Sequence, residues 1–201
     1  SNEYLRLTTL VDALKAMGEG SISLWFKTTE ADKQIIFSAS DLIDGTQNYQ
    51  IYLNRGEVYI ERKESQGNMD LIHFFEDRLD DGEWHHLLLT AEISGLTTLY
   101  IDGNPVVKQS MSFIKGLYSI DEANFGVSRN GNSTSDYFRG AFDELKIFKE
   151  ALAPSEVSAL LGQDLPDAGT ISGLSNLLVL PVGVYDPTDF GVFYLDENNE
   201  K

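Results

Sequence analysis

Four side chains between residues 49 and 63 have the types and spacing to recognise a sugar. Tyr49 to Leu53 and Glu57 to Lys63 are short runs with strand-like alternation, joined by a turn around Asn54-Arg55-Gly56. Successive side chains on a strand point to opposite faces. Ile51 and Leu53 therefore share one face, and Gln50, Tyr52 and Asn54 the other. On the return run Val58, Ile60 and Arg62 go one way, and Glu57, Tyr59, Glu61 and Lys63 the other. A hairpin thus brings Tyr52, Tyr59, Glu61 and Lys63 onto one surface. Aromatic rings suit the C–H-rich faces of sugars, and carboxylate and ammonium groups suit hydroxyls and N-acetyl N–H groups. The competing reading is an ordinary solvated sheet face, where charges serve only solubility.

Other chemistries lack their residues. There is no cysteine, which excludes disulfides, thiol chemistry and Cys-based zinc sites. His85 and His86 are adjacent on a strand-like run and point to opposite faces, so they do not share a metal; one is expected to be a core or inter-strand hydrogen-bonding histidine, and His73 is isolated. Asp41, Asp44, Asp80, Asp81, Asp102 and Asp143 are candidate loop ligands for a structural calcium, but no EF-hand spacing selects among them and the metal ligands stay unassigned. A glycosidase needs two carboxylates roughly 5–9 Å apart across a cleft. No ExDxxE arrangement supplies them, and the nucleophile-elbow, P-loop and dinucleotide patterns are missing too. Binding without catalysis is the expectation.

The elements that must position the hairpin are strands. Asp80 to Pro105 is the clearest stretch: a turn at Asp81-Gly82, an apolar strand from Trp84 to Thr90, a turn at Ser94-Gly95, a strand from Leu96 to Ile101 and a turn at Asp102-Gly103. Around it lie Tyr4–Leu10, Ser21–Lys27, Gln34–Ala39, Met69–Phe75 and Asn124–Ser128, with Val106–Met111 a strand or an irregular return and Phe113–Ala123 loop-like. Ala141 to Phe148 alternates Phe142, Glu144, Lys146 and Phe148 against Asp143, Leu145 and Ile147. Val11–Met17 is a helical turn for the rim. Ala151–Leu161, with Pro154 and Glu156 in its first turn, is a short C-terminal helix. About a dozen short strands with so little helix indicate a sandwich or jelly roll and exclude βαβ folds.

The composition supports a real core, with 42% hydrophobic residues. The net charge is -17, from 32 acidic and 15 basic residues, which argues against nucleic acid and anionic membranes as partners; an anionic ligand would need a local basic pocket. No window is apolar over the length of a membrane span. Residues 1–162 read as one sandwich. Residues 163–201 read as a linker followed by strands at Leu174–Leu180 and Gly191–Leu195, either additional edge strands or the start of a neighbouring domain.

EGSISLWFKT, DGEWHHLLLTAE, LYIDGNPV and FRGAFDELKIFKEALAPSEV, in this order over residues 3–162, resemble the laminin-G-like and concanavalin A-like lectin domains. That resemblance implies an all-β, concanavalin A-like jelly-roll sandwich of two antiparallel sheets with short peripheral helices. LKAMGEGSISLWFKT, QIIFSAS, YQIYLNRGEVYIERK, MSFIKG, NFGVSRNG and YFRGAFDELKIF further resemble the sialic-acid-binding N-terminal lectin domain of bacterial sialidases. This narrower likeness implies a site at Tyr52, Glu61, Lys63, Arg129 and Tyr137, in which the Arg129 guanidinium grips a carboxylate with two parallel bonds. The family usually has arginine where this chain has Lys63, and a run of HxHxY type where this chain has Asn48 to Tyr52. With Tyr59 from the alternation of the hairpin, the candidate sugar-binding set is Tyr52, Tyr59, Glu61, Lys63, Arg129 and Tyr137. In the bland alternative Arg129 pairs with a nearby acid such as Asp136.

The resemblance implies non-catalytic binding of carbohydrate, including sialic-acid-containing glycans, by a module of a larger secreted or surface protein. A tethered catalytic domain is its expected partner, and an extracellular, bacterial-surface or periplasmic location its expected setting. The alternative is a laminin-G-like structural or protein-interaction domain that binds no sugar.

Overall fold

The computed structural model describes residues 4–163, apart from 44, 66, 131 and 132. In chain order the elements are β1 (Leu5–Arg6), a 3-10 turn (Thr8–Leu10), α1 (Val11–Ala16), β2 (Gly20–Thr28), β3 (Gln34–Ser40), β4 (Asn48–Asn54), β5 (Glu57–Ser65) and β6 (Asn68–Phe74). There follow β7 (His85–Ala91), β8 (Leu96–Ile101), β9 (Asn104–Ser110), β10 (Glu122–Phe125), β11 (Ser128–Asn130), β12 (Ser133–Ser135), β13 (Gly140–Phe148) and α2 (Pro154–Gln163). A six-stranded sheet runs β1-β10-β3-β4-β5-β6, and a five-stranded sheet runs β13-β2-β7-β8-β9. Every pairing is antiparallel, and β11 and β12 form a separate two-stranded hairpin. This is the expected all-β sandwich with short peripheral helices. The strands expected at 174–180 and 191–195 lie outside the described residues.

Period-two burial builds the core. Ile22, Leu24 and Phe26 of β2, Tyr49, Ile51 and Leu53 of β4, Val58 and Ile60 of β5, and Leu87 and Leu89 of β7 all turn inward and are fully buried. Two hairpins depend on paired positive φ angles. Arg55 and Gly56 (φ 56° and 75°) join β4 to β5, and Asp102 and Gly103 (φ 48° and 78°) join β8 to β9. Such pairs match the right-handed twist of the flanking strands.

The outer face of the five-stranded sheet is covered by helix. Leu88 of β7, Tyr100 of β8 and Phe148 of β13 form a second apolar cluster with Leu152, Val157 and Leu160. The Glu156 carboxylate accepts the Ala153 N–H at the start of α2, as in the return half of a capping box.

Three local expectations are corrected. Of Tyr4–Leu10 only Leu5–Arg6 pairs as strand; the chain then tightens into the 3-10 turn, which buries Leu7 and Leu10. The strand expected at Asn124–Ser128 begins at Glu122 and breaks at Gly126, whose φ of 86° turns the chain out of the sheet and into the β11–β12 hairpin. In β13 strict alternation would put Phe142 and Phe148 on one face. A bulge between Asp143 and Lys146, with Glu144 at φ 50°, inserts one residue and splits them: Phe142 joins the main core and Phe148 the cluster under α2.

The neighbouring histidines divide as strand geometry requires. His86 is fully buried, with Nε2 2.9 Å from the Ser23 hydroxyl and its ring against Trp25. His85 places Nδ1 2.9 Å from Asp102 and Nε2 3.2 Å from Asp81, while Asp102 also accepts the His86 N–H at 2.7 Å. Burial, helped by Lys146, depresses the His86 pKa to about 4. For His85 burial acts downward, but the bonds to Asp102 and Asp81 outweigh it and the pKa is raised.

These opposite shifts predict a stability optimum. The His86 contribution is fully present above its ordinary pKa and is lost as pH falls toward 4, on the order of 3 kcal/mol. The His85 contribution is present below its ordinary pKa and is lost as pH rises through its raised value. Melting temperatures across this range should fall at the acid end, and His86→Gln should flatten that fall relative to wild type. Separately, Phe148→Ala should lower unfolding free energy by about 3–5 kcal/mol, read from a urea titration. A loss below about 1 kcal/mol would show that the α2 cluster does not stabilise the sheet it covers.

Candidate functional site

The outer face of the six-stranded sheet is organised in rows set by register. One row crosses from Arg6 (β1) through Asn124 (β10), Ser38 (β3), Gln50 (β4) and Glu61 (β5) to Leu71 (β6). The next runs from Glu122 through Ser40, Asn48 and Lys63 to Met69. A third, on the other side of the first, aligns Ile35, Tyr52, Tyr59 and His73. Glu61, Lys63, Tyr52 and Tyr59 therefore lie on one surface, as alternation requires.

The aromatic row forms a ladder. Tyr52 and Tyr59 stack at 5.0 Å with an interplanar angle of 3°, and Tyr59 and His73 at 4.1 Å and 14°. Lys33 Nζ sits 4.3 Å from the Tyr52 centroid. Because β5 lies between β4 and β6, both faces of Tyr59 are taken by rings, and a ligand meets its edge. The Tyr59 hydroxyl donates to Glu57 at 3.0 Å, and Glu57 also lies 2.8 Å from His73 Nε2. These two bonds hold the Glu57 carboxyl below its usual range. Burial, then the nearby Glu61 charge, raises the Tyr52 phenol; burial, then Glu57, raises that of Tyr59.

Arg129 comes over the sheet on β11. Its partner is Glu122 rather than Asp136: Nη1 reaches the two carboxylate oxygens at 2.9 and 3.2 Å. Arg6 reaches the same carboxylate from the other side at 2.5 Å. Glu122 is 1% exposed, so this is a buried acid held between two guanidinium groups. Asp136 instead lies 3.7 Å from Lys33, and its carbonyl accepts the Ile35 N–H. Lys63 donates to the Gly45 carbonyl at 3.2 Å. Tyr137 lies beside the same hairpin: its hydroxyl donates to Thr134, the cross-strand partner of Arg129, and its ring packs against Tyr4.

Buried polar residues that the sequence reading did not single out complete the face. Gln50 Nε2 donates to the Ser128 hydroxyl at 3.0 Å, and the Ser38 hydroxyl to the Val127 carbonyl at 2.7 Å. Asn124 is fully buried and both its amide atoms are unpartnered; Ser40 Oγ, Asn48 Oδ1 and Arg129 Nε are also buried without partners. The signal for Glu122 and Asn124 was alternation in Glu-Ala-Asn-Phe, hidden because the stretch up to Ala123 reads as loop.

Among the described residues the candidate calcium ligands are not brought together. Among the described residues no three His, Asp or Glu side chains gather as a metal site. The candidate aspartates are engaged separately: Asp80 with Arg78, Asp81 and Asp102 with His85, Asp41 with the Ile43 N–H, and Asp143 with the Glu144 N–H. Asp44 lies outside the described residues.

Residues 1–158 match the family described as the concanavalin A-like lectin/glucanases superfamily. The chain belongs to this superfamily. Among solved members of similar fold, the CBM40 of the Ruminococcus gnavus IT-sialidase bound to α2,3-sialyllactose gives a TM-score of 0.70 at 17% identity, over 80% of this chain and 93% of that one. The NanB sialidase of Streptococcus pneumoniae gives 0.69 at 20% identity, over 79% of this chain and 26% of its own. In sequence, neurexin-3a of Danio rerio is 30% identical over 105 residues, 52% of this chain; the match spans 6% of that protein's length. In this superfamily member no described helix is long and apolar enough to cross a membrane.

The Glu122 ion-pair centre has a measurable consequence. Glu122→Ala leaves the mostly buried Arg129 without its anion and should cost about 3–5 kcal/mol in a denaturant titration. Glu61→Ala, on the same face but partly exposed, should cost less than about 1 kcal/mol. Similar losses for the two would contradict the buried pairing.

Proposed function

We propose that the protein is a non-catalytic carbohydrate-binding module that takes acidic glycans, sialic-acid-terminated ones included, on the outer face of the six-stranded sheet. The observation that carries this reading is the local charge. In a chain of net charge -17, this face gathers Arg6, Arg129, Lys63 and Lys33 against Glu122, Glu61, Asp136 and Glu57. Four cations against four carboxylates make a charge-balanced patch in an acidic protein, where an anionic ligand meets less repulsion than the net charge implies. Arg129 has further N–H capacity beyond its Nη1 contact, since its Nε–H is unpartnered. Glu61, Gln50 and Asn48 supply polar groups for hydroxyls in the neighbouring rows.

Support for binding without hydrolysis comes from the carboxylates of this face. Glu61 and Glu122 stand three strand spacings apart, about 14 Å, beyond the separation that glycoside hydrolysis uses. The solved CBM40 is a module complexed with sialyllactose, which agrees with this reading. Weak binding by one module is useful when it is tethered to a catalytic neighbour, since linkage raises the effective concentration. The setting we propose is a secreted or surface protein in which residues 1–162 are the module.

The test is titration of the domain with α2,3-sialyllactose and with lactose, followed by NMR shifts or calorimetry. Sialyllactose should bind and lactose should bind at least about tenfold more weakly, because loss of a charge-assisted contact costs about 1.5–3 kcal/mol. Arg129→Ala and Lys63→Ala should each reduce sialyllactose affinity by a similar factor. No response to either sugar leaves the laminin-G-like interaction domain as the reading.

A further inference from the structure

We infer that Arg6, on the edge strand β1, is a positioning residue of the proposed site: by holding one oxygen of Glu122 it keeps Arg129 from closing a two-bond fork on that carboxylate, and so leaves the rest of the Arg129 guanidinium for an anionic ligand. This inference rests on the proposed function and deepens it. Its basis is the way one carboxylate is divided between two arginines. A guanidinium beside a carboxylate frequently makes two parallel N–H···O bonds. Arg129 does not. Its Nη1 alone straddles the two oxygens, 2.9 Å from Oε1 and 3.2 Å from Oε2, and its Nε makes no bond. Arg6 Nη2 lies 2.5 Å from Oε2, the oxygen from which Arg129 is the more distant. The bond to Glu122 raises the Arg6 pKa against the effect of burial, as a committed contact does.

Register places Arg6 where it serves this role without touching the sugar. It pairs with Asn124, two residues along β10 from Glu122, and β1 is the outermost strand of the sheet. Glu61 and Lys63 lie on β5, four strand spacings away, about 19 Å. Arg129 comes from the other flank, since the start of β11 is tied to Ser38 of β3 and Gln50 of β4. With the hairpin in place the Arg129 side chain is 14% exposed and that of Glu122 only 2%, so an anion reaches the arginine and not the carboxylate.

The charges lead to the same assignment. The face is balanced as a whole, but its Glu57 is engaged elsewhere, with Tyr59 and His73. Two arginines on one carboxylate leave this trio with one positive charge. Without Arg6 the trio becomes a neutral pair and Oε2 loses its nearer partner. Arg129 is then the remaining cation on Glu122, and closing the fork sets Glu122 in competition with the ligand for the same N–H groups.

The experiment titrates the whole chain with α2,3-sialyllactose by calorimetry and reads the Arg129 Nε–H signal by NMR without ligand. Arg6 is half-exposed, so its variants should fold. Arg6→Gln should weaken binding about tenfold, the equivalent of one charge-assisted hydrogen bond, and should move the Nε–H signal downfield as that group bonds Glu122. Arg6→Lys should recover most of the affinity, because an ammonium also holds Oε2. In a Glu122→Gln chain, Arg6→Gln should change affinity by less than about twofold, since no carboxylate is left to compete. If Glu122→Gln does not fold, the Arg6→Lys recovery and the Nε–H signal carry the test.

The same loss in both backgrounds would mean that Arg6 acts on the ligand directly. A lower melting temperature with unchanged affinity would make Arg6 purely structural. Either result overturns the inference and leaves the proposed function standing. Failure of wild type to bind sialyllactose overturns both.

Discussion

The structure depends on one constraint: two sheets share a single apolar layer, so each strand must keep every second side chain inward. Ile22, Leu24 and Phe26 meet this on one sheet, and Ile51, Leu53, Val58 and Ile60 on the other. The same period leaves two outer faces, and the chain treats them differently. On the five-stranded sheet the outer face carries Leu88, Tyr100 and Phe148 and is sealed by α2. On the six-stranded sheet it carries amides, hydroxyls and charges and receives only a small hairpin. Burying apolar area fastens the first cover, whereas the second is held by polar contacts, chief among them the buried Arg129–Glu122 pair.

Glu122 is the electrostatic centre of the polar face. A carboxylate so thoroughly removed from water is costly unless it is paired, and Arg6 and Arg129 pair it. The pairing also places Arg129, because its guanidinium lies where the carboxylate is rather than where a loop would leave it. The face as a whole is charge-balanced in a chain of net charge -17. At physiological salt the rest of the acidic surface is screened beyond about 8 Å, so a nearby anion responds chiefly to this patch. The aromatic ladder beside it is held by its own stacking and by the Glu57 contacts, which makes it a rigid wall with edges toward a ligand.

Much of this was legible in the residues. Asp-Gly turns and apolar alternation identified the sandwich, and parity alone placed Tyr52, Tyr59, Glu61 and Lys63 on one surface. Parity also separated His85 from His86. It failed where the backbone leaves strict period two. The extra residue at Glu144 sent Phe142 and Phe148 to different cores, and Gly126 ended a strand that reads as continuous through Ser128. Neither event is visible in hydrophobic pattern, since a bulge preserves composition and a glycine signals a turn only when its φ is known.

By itself, then, the sequence determined the class of fold and the sidedness of its central hairpin. Those properties follow from local periodicity and turn chemistry, which act over a few residues. Tertiary structure alone decided that Arg129 sits on Glu122 and not Asp136, that Asn124 and Ser40 lie unpartnered beneath it, and that Tyr59 shows its edge. The contacts that decide the Glu122 centre join residues from 7 to 116 apart in the chain. That choice is made by the whole core closing at once, not by any segment's own preference.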